Sequence, residues 1–412
     1  MTTSYLVFAG IDYGSDFHQV CLTDTEGKKL TEFRIEHSAI GIGKLVKTLL
    51  QHGEPSRCAV ALELTHGPVV ETLLESGFDV FAVNPKQLDR FRDRHSVAGS
   101  KDDRLDAFVC ADSLRTDRHH FRLLQLDDPL VIRLRELGRI DFSLSKDFRR
   151  LANQLRAQLH RFFPQLLELC PAADEPWLWA LLLKAPTPHE ARRLKKNQLA
   201  RILKEHRIRR FSADQLHLLL AQPSLTLAPG SLEAASEHVQ LLLPRLQLLC
   251  QQRRDCRRRI DDVLQQLQEN VSSEGECREH HDVEIVLSFP GAGSLVGAAM
   301  LGEASQPLAE RDYHTLRAHS GIAPVTRRSG KRTLVFMRRA CNPRLREAVY
   351  HWARTSIQND DGCKAFYARQ RGRGASHGRA LRALADRLLR ILVATLRTQT
   401  LYNPSLPRVH PS

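Results

Sequence analysis

A chain of 412 residues with 42% apolar content can bury two or three ordinary cores. Its 61 Lys and Arg residues exceed its 47 Asp and Glu residues by 14, and the pI near 9.6 favours a polyanionic partner, nucleic acid before membrane. No run approaches the ~20 apolar residues that span a bilayer, and the N-terminal MTTSYLVFAGIDYG lacks the basic region and apolar core of a secretion signal, so a cytoplasmic protein is expected.

The first region, residues 1–125, alternates strand and helix signals. YLVFAGID and QVCLTD are short runs of β-formers, TEG reads as a turn, and KKLTEFRIE alternates as a third strand would. IGKLVKTLLQHG is helical and stops at Gly53, CAVALEL is a buried strand, PVVETLLESG is a helix ending at Gly77, and DVFAV is another strand. The order β-β-β-α-β-α-β-α predicts a mixed sheet flanked by helices. Acids punctuate it. Asp12 ends the first strand and faces what lies beyond the sheet edge, Glu63 closes the fourth, and SKDDRLDAF sets Asp103 and Asp106 at i and i+3 on one helical face, with Asp102 a good N-cap. Each alone also reads as a strand end or a cap. Together, in a basic protein, they suggest a divalent cation between carboxylates and phosphate.

Residues 126–282 change character. The stretch from Leu130 to Cys170 repeats apolar residues at helical spacing for longer than an ordinary helix runs without a break, which predicts a long hairpin or coiled-coil arm. A second stretch, from Leu232, carries Pro244, expected to kink it or end one of its helices. Between them PWLWALLLKAPTPHEARRLKKNQLARILKEHRIRRF forms a helical insert ending in a strongly basic helix, and SSEGECREHHD reads as a polar link to the next region.

In the third region, residues 283–412, FPGAGSLVGAAML sets Gly291 and Gly293 between two helical segments, either a tight helix-helix turn or a phosphate-binding helix start. A basic loop follows from Gly321 to Pro343, the rest is helical, and YNPSLPRVHPS reads as a disordered tail. Within the loop PVTRRSGKRT places Ser329 among arginines; locally it is a turn residue, with no His or base nearby to activate it. The nine cysteines, at 21, 58, 110, 170, 250, 256, 277, 341 and 363, form no Cys-x-x-Cys pair and read as reduced thiols.

GIDYG, ALELTHG, NPKQLDRFR and KDDRLDA resemble the RuvC-like, ribonuclease-H-type catalytic domain of the DEDD transposases, the insertion-sequence one-ten family, which includes the Piv-type DNA invertases. LRAHSGIAPVTRRSGKRT followed by CNPRLREAVYHWARTS resembles that family's C-terminal domain in order and spacing, while the helical middle matches only as a long arm. The resemblance implies an α/β plus α architecture and a transposase that cuts and rejoins DNA. It carries the metal-binding acids onto Asp12, Glu63, Asp103 and Asp106, with Mg2+ as cofactor, and the serine nucleophile onto Ser329. A small hydroxyl residue is usual where Asp102 stands. Arg327, Arg328, Lys331 and Arg332 would neutralise phosphate, and FMRRACNPRL, with Arg338, Arg339 and Asn342, replaces the family's Ser-Lys-x-Gly segment that positions nucleic acid. Family precedent adds a structured bridge RNA that selects donor and target DNA, assembly into dimers and tetramers, and a nucleoid-associated life in a prokaryote. Two alternatives stand beside it: a RuvC-like nuclease or junction resolvase in which metal-activated water attacks, and a non-catalytic nucleic-acid-binding protein.

Overall fold

The computed structural model describes residues 4–94, 102–228, 230–269, 278–330 and 332–404. The chain divides into two compact units, Met1–Asp128 and Pro129–Ser412.

The first unit carries β1 (Val7–Tyr13), β2 (Phe17–Thr23), β3 (Lys29–Glu36), α1 (Ala39–His52), β4 (Cys58–Leu62), α2 (Pro68–Glu75), β5 (Asp79–Ala82), α3 (Pro85–Arg92), α4 (Asp103–Asp117) and β6 (Arg122–Leu123). The sheet order is β3-β2-β1-β4-β5-β6. β1 pairs parallel with β4 and β4 with β5, while β2, β3 and β6 join antiparallel. Alternation sorts the side chains: Val7, Ala9, Ile11, Val60 and Leu62 pack on α1 and α2, and Phe8, Ala59, Ala61 and Phe81 pack on α4 with Leu88 of α3. This is the mixed sheet with flanking helices that the sequence pattern predicts, consistent with a ribonuclease-H-like domain. The short helix α3 and the two-residue β6 have no counterpart in that pattern.

The second unit begins with α5 (Pro129–Phe162), α6 (Leu166–Leu169), α7 (Pro176–Lys184), α8 (Pro188–Arg192), α9 (Lys196–Glu205), α10 (Ala213–Ala221) and α11 (Ser231–Glu269). It continues with α12 (Arg278–Leu287), α13 (Ser294–Glu303), α14 (Ser305–Ala309), α15 (Tyr313–His319), β7 (Val325–Ser329), β8 (Arg332–Phe336), α16 (Pro343–Asn359), α17 (Asp361–Gly372) and α18 (His377–Thr398). The helices α5 and α11 form its spine. The first turns of α5 and the end of α11 enter a core with α12, α13, α15, α16 and α18, whereas the end of α5 and the start of α11 enclose a second core with the insert helices α7, α9 and α10. The two therefore run antiparallel. Each stripe of apolar residues faces a different core at its two ends, which is why the periodicity runs on so long.

Five sequence expectations change or narrow here. α5 is one unbroken helix of 34 residues, and of the kink or helix end expected at Pro244 the helix end is ruled out, since α11 runs through it. Pro244 is exposed, so solvent can reach the carbonyl that its missing N–H leaves unpaired. The polar link is partly helical, since α12 starts at Arg278, and Asp282 is buried against Arg311; residues 272–277 lie outside the described residues. The basic loop from Gly321 contains the β7-β8 hairpin. Of the C-terminal segment, residues 405–412 lie outside the described residues, whereas Tyr402 is anchored, its N–H donating to Ser288 Oγ at 2.9 Å and its ring 4.6 Å from Phe289. No helix among the described residues is long and apolar enough to cross a membrane.

Candidate active site

Asp12 sits inside β1, opposite Gln19 of β2, rather than beyond the strand end. Ile11 pairs with Leu62 across β1 and β4, so Glu63, the next residue after β4, leaves the sheet level with Asp12. By alternation both lie on the α4 face, in step with Gly10 and Ala61. A Cβ at Gly10 would stand 2.0 Å from the Ala107 carbonyl oxygen and 2.4 Å from the Ala111 nitrogen. Only glycine allows α4 to lie this close, and the contact brings its first turn, with Asp106 just before Ala107, to the Asp12 end of the sheet. The Cys110 thiol beneath reports the grouping. It is pushed up to about 12 by burial above all, with Glu63, Asp12 and Asp106 adding to the rise.

Asp106 is 2% exposed, and its Oδ1 accepts from Arg92 Nε at 2.6 Å. The hydrogen bond to Asp106 raises the pKa of the Arg92 guanidinium, and Asp89 and Glu63 contribute further. A buried carboxylate needs such a counter-cation, because desolvation alone would neutralise it. Sequence reading did not single out Arg92: it ends the NPKQLDRFR segment, and its pairing with Asp106, fourteen residues on, is visible only in the fold. Asp103, exposed, opens α4 one turn ahead of Asp106. Asp102 is engaged otherwise, as its side chain caps α4 by accepting from the Arg104 N–H at 3.1 Å.

Asp12, Glu63 and Asp106 gather around Cys110 at one end of the sheet, but no three of the four acids have ligand atoms all within 4.8 Å of one another. Among the described residues, the trio with ligand atoms all within 4.8 Å of one another is instead Cys170, Asp174 and Glu175. That trio suits a cation poorly. Burial pushes the Cys170 thiol up to about 11, and Glu175 already accepts from Arg210 at 2.8 Å and from Trp177. By donor chemistry, the all-carboxylate set at Asp12, Glu63, Asp103 and Asp106 fits a hard divalent ion better.

Ser329 belongs to the second unit. It ends β7, opposite Arg332 of β8, beside Gly330 at φ +55° in the turn; Lys331 lies outside the described residues. Both strands are exposed along nearly their whole length, including Arg327, Arg328 and Arg332 and the apolar Leu334, Val335 and Phe336. Arg327 lies over the Phe336 ring at 5.6 Å. Arg338 ties the hairpin base by donating to the Ala323 carbonyl at 3.3 Å, and Arg339 is exposed. Gly291 and Gly293 lead into α13. A Cβ at Gly291 would reach 2.8 Å from the Ser356 nitrogen, so this turn is closed against α16, while Gly293 is exposed at the N-cap.

A buried hub centred on Glu303, which the sequence reading did not single out, joins α13, α5 and the start of α16. Glu303, at the end of α13, accepts from Arg139 Nε of α5 at 3.0 Å, from Arg344 Nε of α16 at 2.6 Å and from Asn342 Nδ2 at 2.6 Å. Burial works against its charge, yet these donors lower its carboxyl to about 2. An acid at a helix C-terminus opposes the helix dipole, and that misfit was the available signal.

Comparison with known proteins agrees with both halves of this description. A family model described as a transposase of the DEDD, IS110 type matches residues 9–164, and a second, described as the transposase IS116/IS110/IS902 family, matches residues 283–368. The mini-circle putative transposase for IS117 of Streptomyces coelicolor is 34% identical over 406 residues, 96% of this chain and 95% of that protein. The chain belongs to this transposase family. The putative transposase y4uE of Sinorhizobium fredii is 48% identical over 216 residues, 52% of this chain and 60% of that relative. An insertion element IS116 protein of Streptomyces clavuligerus is 28% identical over 415 residues, 97% of each chain. The transposase is thus an enzyme of DNA cutting and strand transfer, from a family that works with a divalent metal.

Proposed function

We propose that this transposase moves its insertion sequence by a serine mechanism, guided by a structured bridge RNA that pairs with donor and target DNA: Ser329 Oγ attacks a DNA phosphodiester, a covalent phosphoserine link forms as the bond from phosphorus to one deoxyribose oxygen breaks, and that oxygen leaves as a DNA hydroxyl end, the proton lost by the serine balancing the one it gains. The observation that carries the reading is the exposed position of Ser329 on a hairpin lined with Arg327, Arg328 and Arg332, where a phosphate can approach. Among the described residues of its own hairpin, no side chain offers the hydroxyl a base. Asp12, Glu63, Asp103 and Asp106 would hold Mg2+, which supplies polarisation of the scissile phosphate when bound. Within the first unit Arg92 fixes Asp106, and Asp102 holds the helix start that presents Asp103. Within the second, Arg338 ties the base of the hairpin to the Ala323 carbonyl, and the arginines neutralise the phosphate that Ser329 attacks.

An exposed two-stranded hairpin bearing Leu334, Val335 and Phe336 is marginal alone, which supports action within a dimer or tetramer and on nucleic acid. The test is recombination between donor and target plasmids with bridge RNA and Mg2+. Ser329→Ala and Asp12→Asn are each expected to abolish it, and Ser329→Ala to abolish any denaturation-resistant protein-DNA species. Efficient cutting by Ser329→Ala would instead establish metal-activated water as the nucleophile.

A further inference from the structure

The insert between the two family matches has no role in the site described above. Its helix α9 buries Leu199, Ile202 and Leu203 in the core shared with α5 and α11. The outward face is the most basic stretch of the chain: from Arg192 to Arg210 there are nine Lys and Arg residues against the single acid Glu205, and all nine are exposed. Five have partners. Arg192 donates to the Gln222 carbonyl, Arg193 meets His189, Lys196 pairs with Asp214, Arg201 with Glu205, and Arg210 with Glu175. Lys195, Lys204, Arg207 and Arg209 pair with no carboxylate among the described residues.

A second, independent observation concerns the backbone. α9 ends in a left-handed cap: Arg207 has φ +56°, its N–H donates to the Lys204 carbonyl, and the Ile208 N–H donates to the Leu203 carbonyl at 2.9 Å. Glycine is the residue this position favours, and an arginine stands there against the local steric preference. Strain kept for a charge points to a use for the charge. Trp177, Trp179 and Phe211 of the insert are all buried, so the face offers unpaired bases no exposed tryptophan, tyrosine or phenylalanine ring.

We propose that this face binds the phosphate backbone of duplex DNA without reading its sequence, as a second DNA-holding surface apart from the hairpin. The proposal rests on the reading of the chain as a transposase that engages DNA. Its test uses the full chain and a random duplex of about 30 base pairs, with affinity followed by fluorescence anisotropy over a range of salt. Replacing Lys195, Lys204, Arg207 and Arg209 together with Gln is expected to lower the slope of log affinity against log salt by up to ~3.6, at ~0.9 per lost phosphate contact, and to weaken binding at least ~10-fold. Arg207→Gly separates binding from folding, since it relieves the cap and is expected to raise the unfolding temperature while lowering the salt slope by about 0.9. Unchanged slopes in variants of a chain that binds duplex overturn the inference alone. So does a loss confined to stem-loop RNA. A wild-type chain that binds no duplex overturns both the inference and the reading on which it rests.

Discussion

Replacing Glu303 with Gln tests whether the hub that joins α13, α5 and the start of α16 is electrostatic. The carboxylate is 6% exposed and takes hydrogen bonds from Arg139, Arg344 and Asn342, so it joins α5, α13 and the start of α16. Its carboxyl falls from an ordinary 4.5 to about 2. A drop of that size corresponds to about 3 kcal/mol at ~1.36 kcal/mol per pH unit. Because the folded-state value is depressed, this stability is present above pH 4.5 and is lost as pH falls toward about 2. Urea unfolding of wild type and Glu303→Gln across this window is therefore expected to show a difference of about 3 kcal/mol at neutral pH that shrinks with acidification. A difference that stays constant from neutral pH to the acid end would refute the reasoning, since it would mean that the amide loses only packing or geometry.

Four further outcomes follow from the first unit and the hairpin. Asp102→Ser keeps a capping oxygen for α4 and is expected to leave recombination within ~2-fold of wild type, whereas Asp103→Asn lowers it at least ~100-fold; equal losses would make Asp102 a ligand. Gly10→Ala drives a methyl into the Ala107 carbonyl and is expected to destabilise by more than ~3 kcal/mol, read as a fall in unfolding temperature. Arg92→Ala leaves Asp106 buried without its cation, a loss of about 3–5 kcal/mol, and should give a larger Mg2+-dependent rise in unfolding temperature than wild type. Arg327→Gln with Arg328→Gln should weaken DNA binding and flatten its salt dependence without changing the fold, because both side chains are exposed.

How far the sequence carried differs between the units. In the first, strands of four to eight residues bounded by Gly and polar turns gave a readable order, and Asp12, Glu63 and Asp106 were legible from their places at strand and helix ends. What joins them was not. The Gly10 contact with α4 and the Arg92 pair with Asp106 are tertiary, and no periodicity encodes them. In the second unit, TLVFM carries β-formers, but flanking arginines and Gly330 made the hairpin read as a loop, because neither strand has the buried face that produces alternation. The 34 residues of α5 read as too long for one helix because its apolar stripe serves two cores in succession. Glu303 was hidden for a similar reason: its partners come from two segments distant in the chain, Arg139 of α5 and Asn342 with Arg344 at the start of α16.

The central claim is that Ser329 forms the covalent link to DNA, and the most direct measurement is mass spectrometry of the protein trapped on cognate DNA with bridge RNA and Mg2+, then digested with nuclease and protease. The account predicts a nucleotide attached through phosphate to the peptide bearing Ser329, absent from Asp12→Asn. Cleaved DNA with an unmodified Ser329 peptide, or a nucleotide mapped to any other residue, would contradict it.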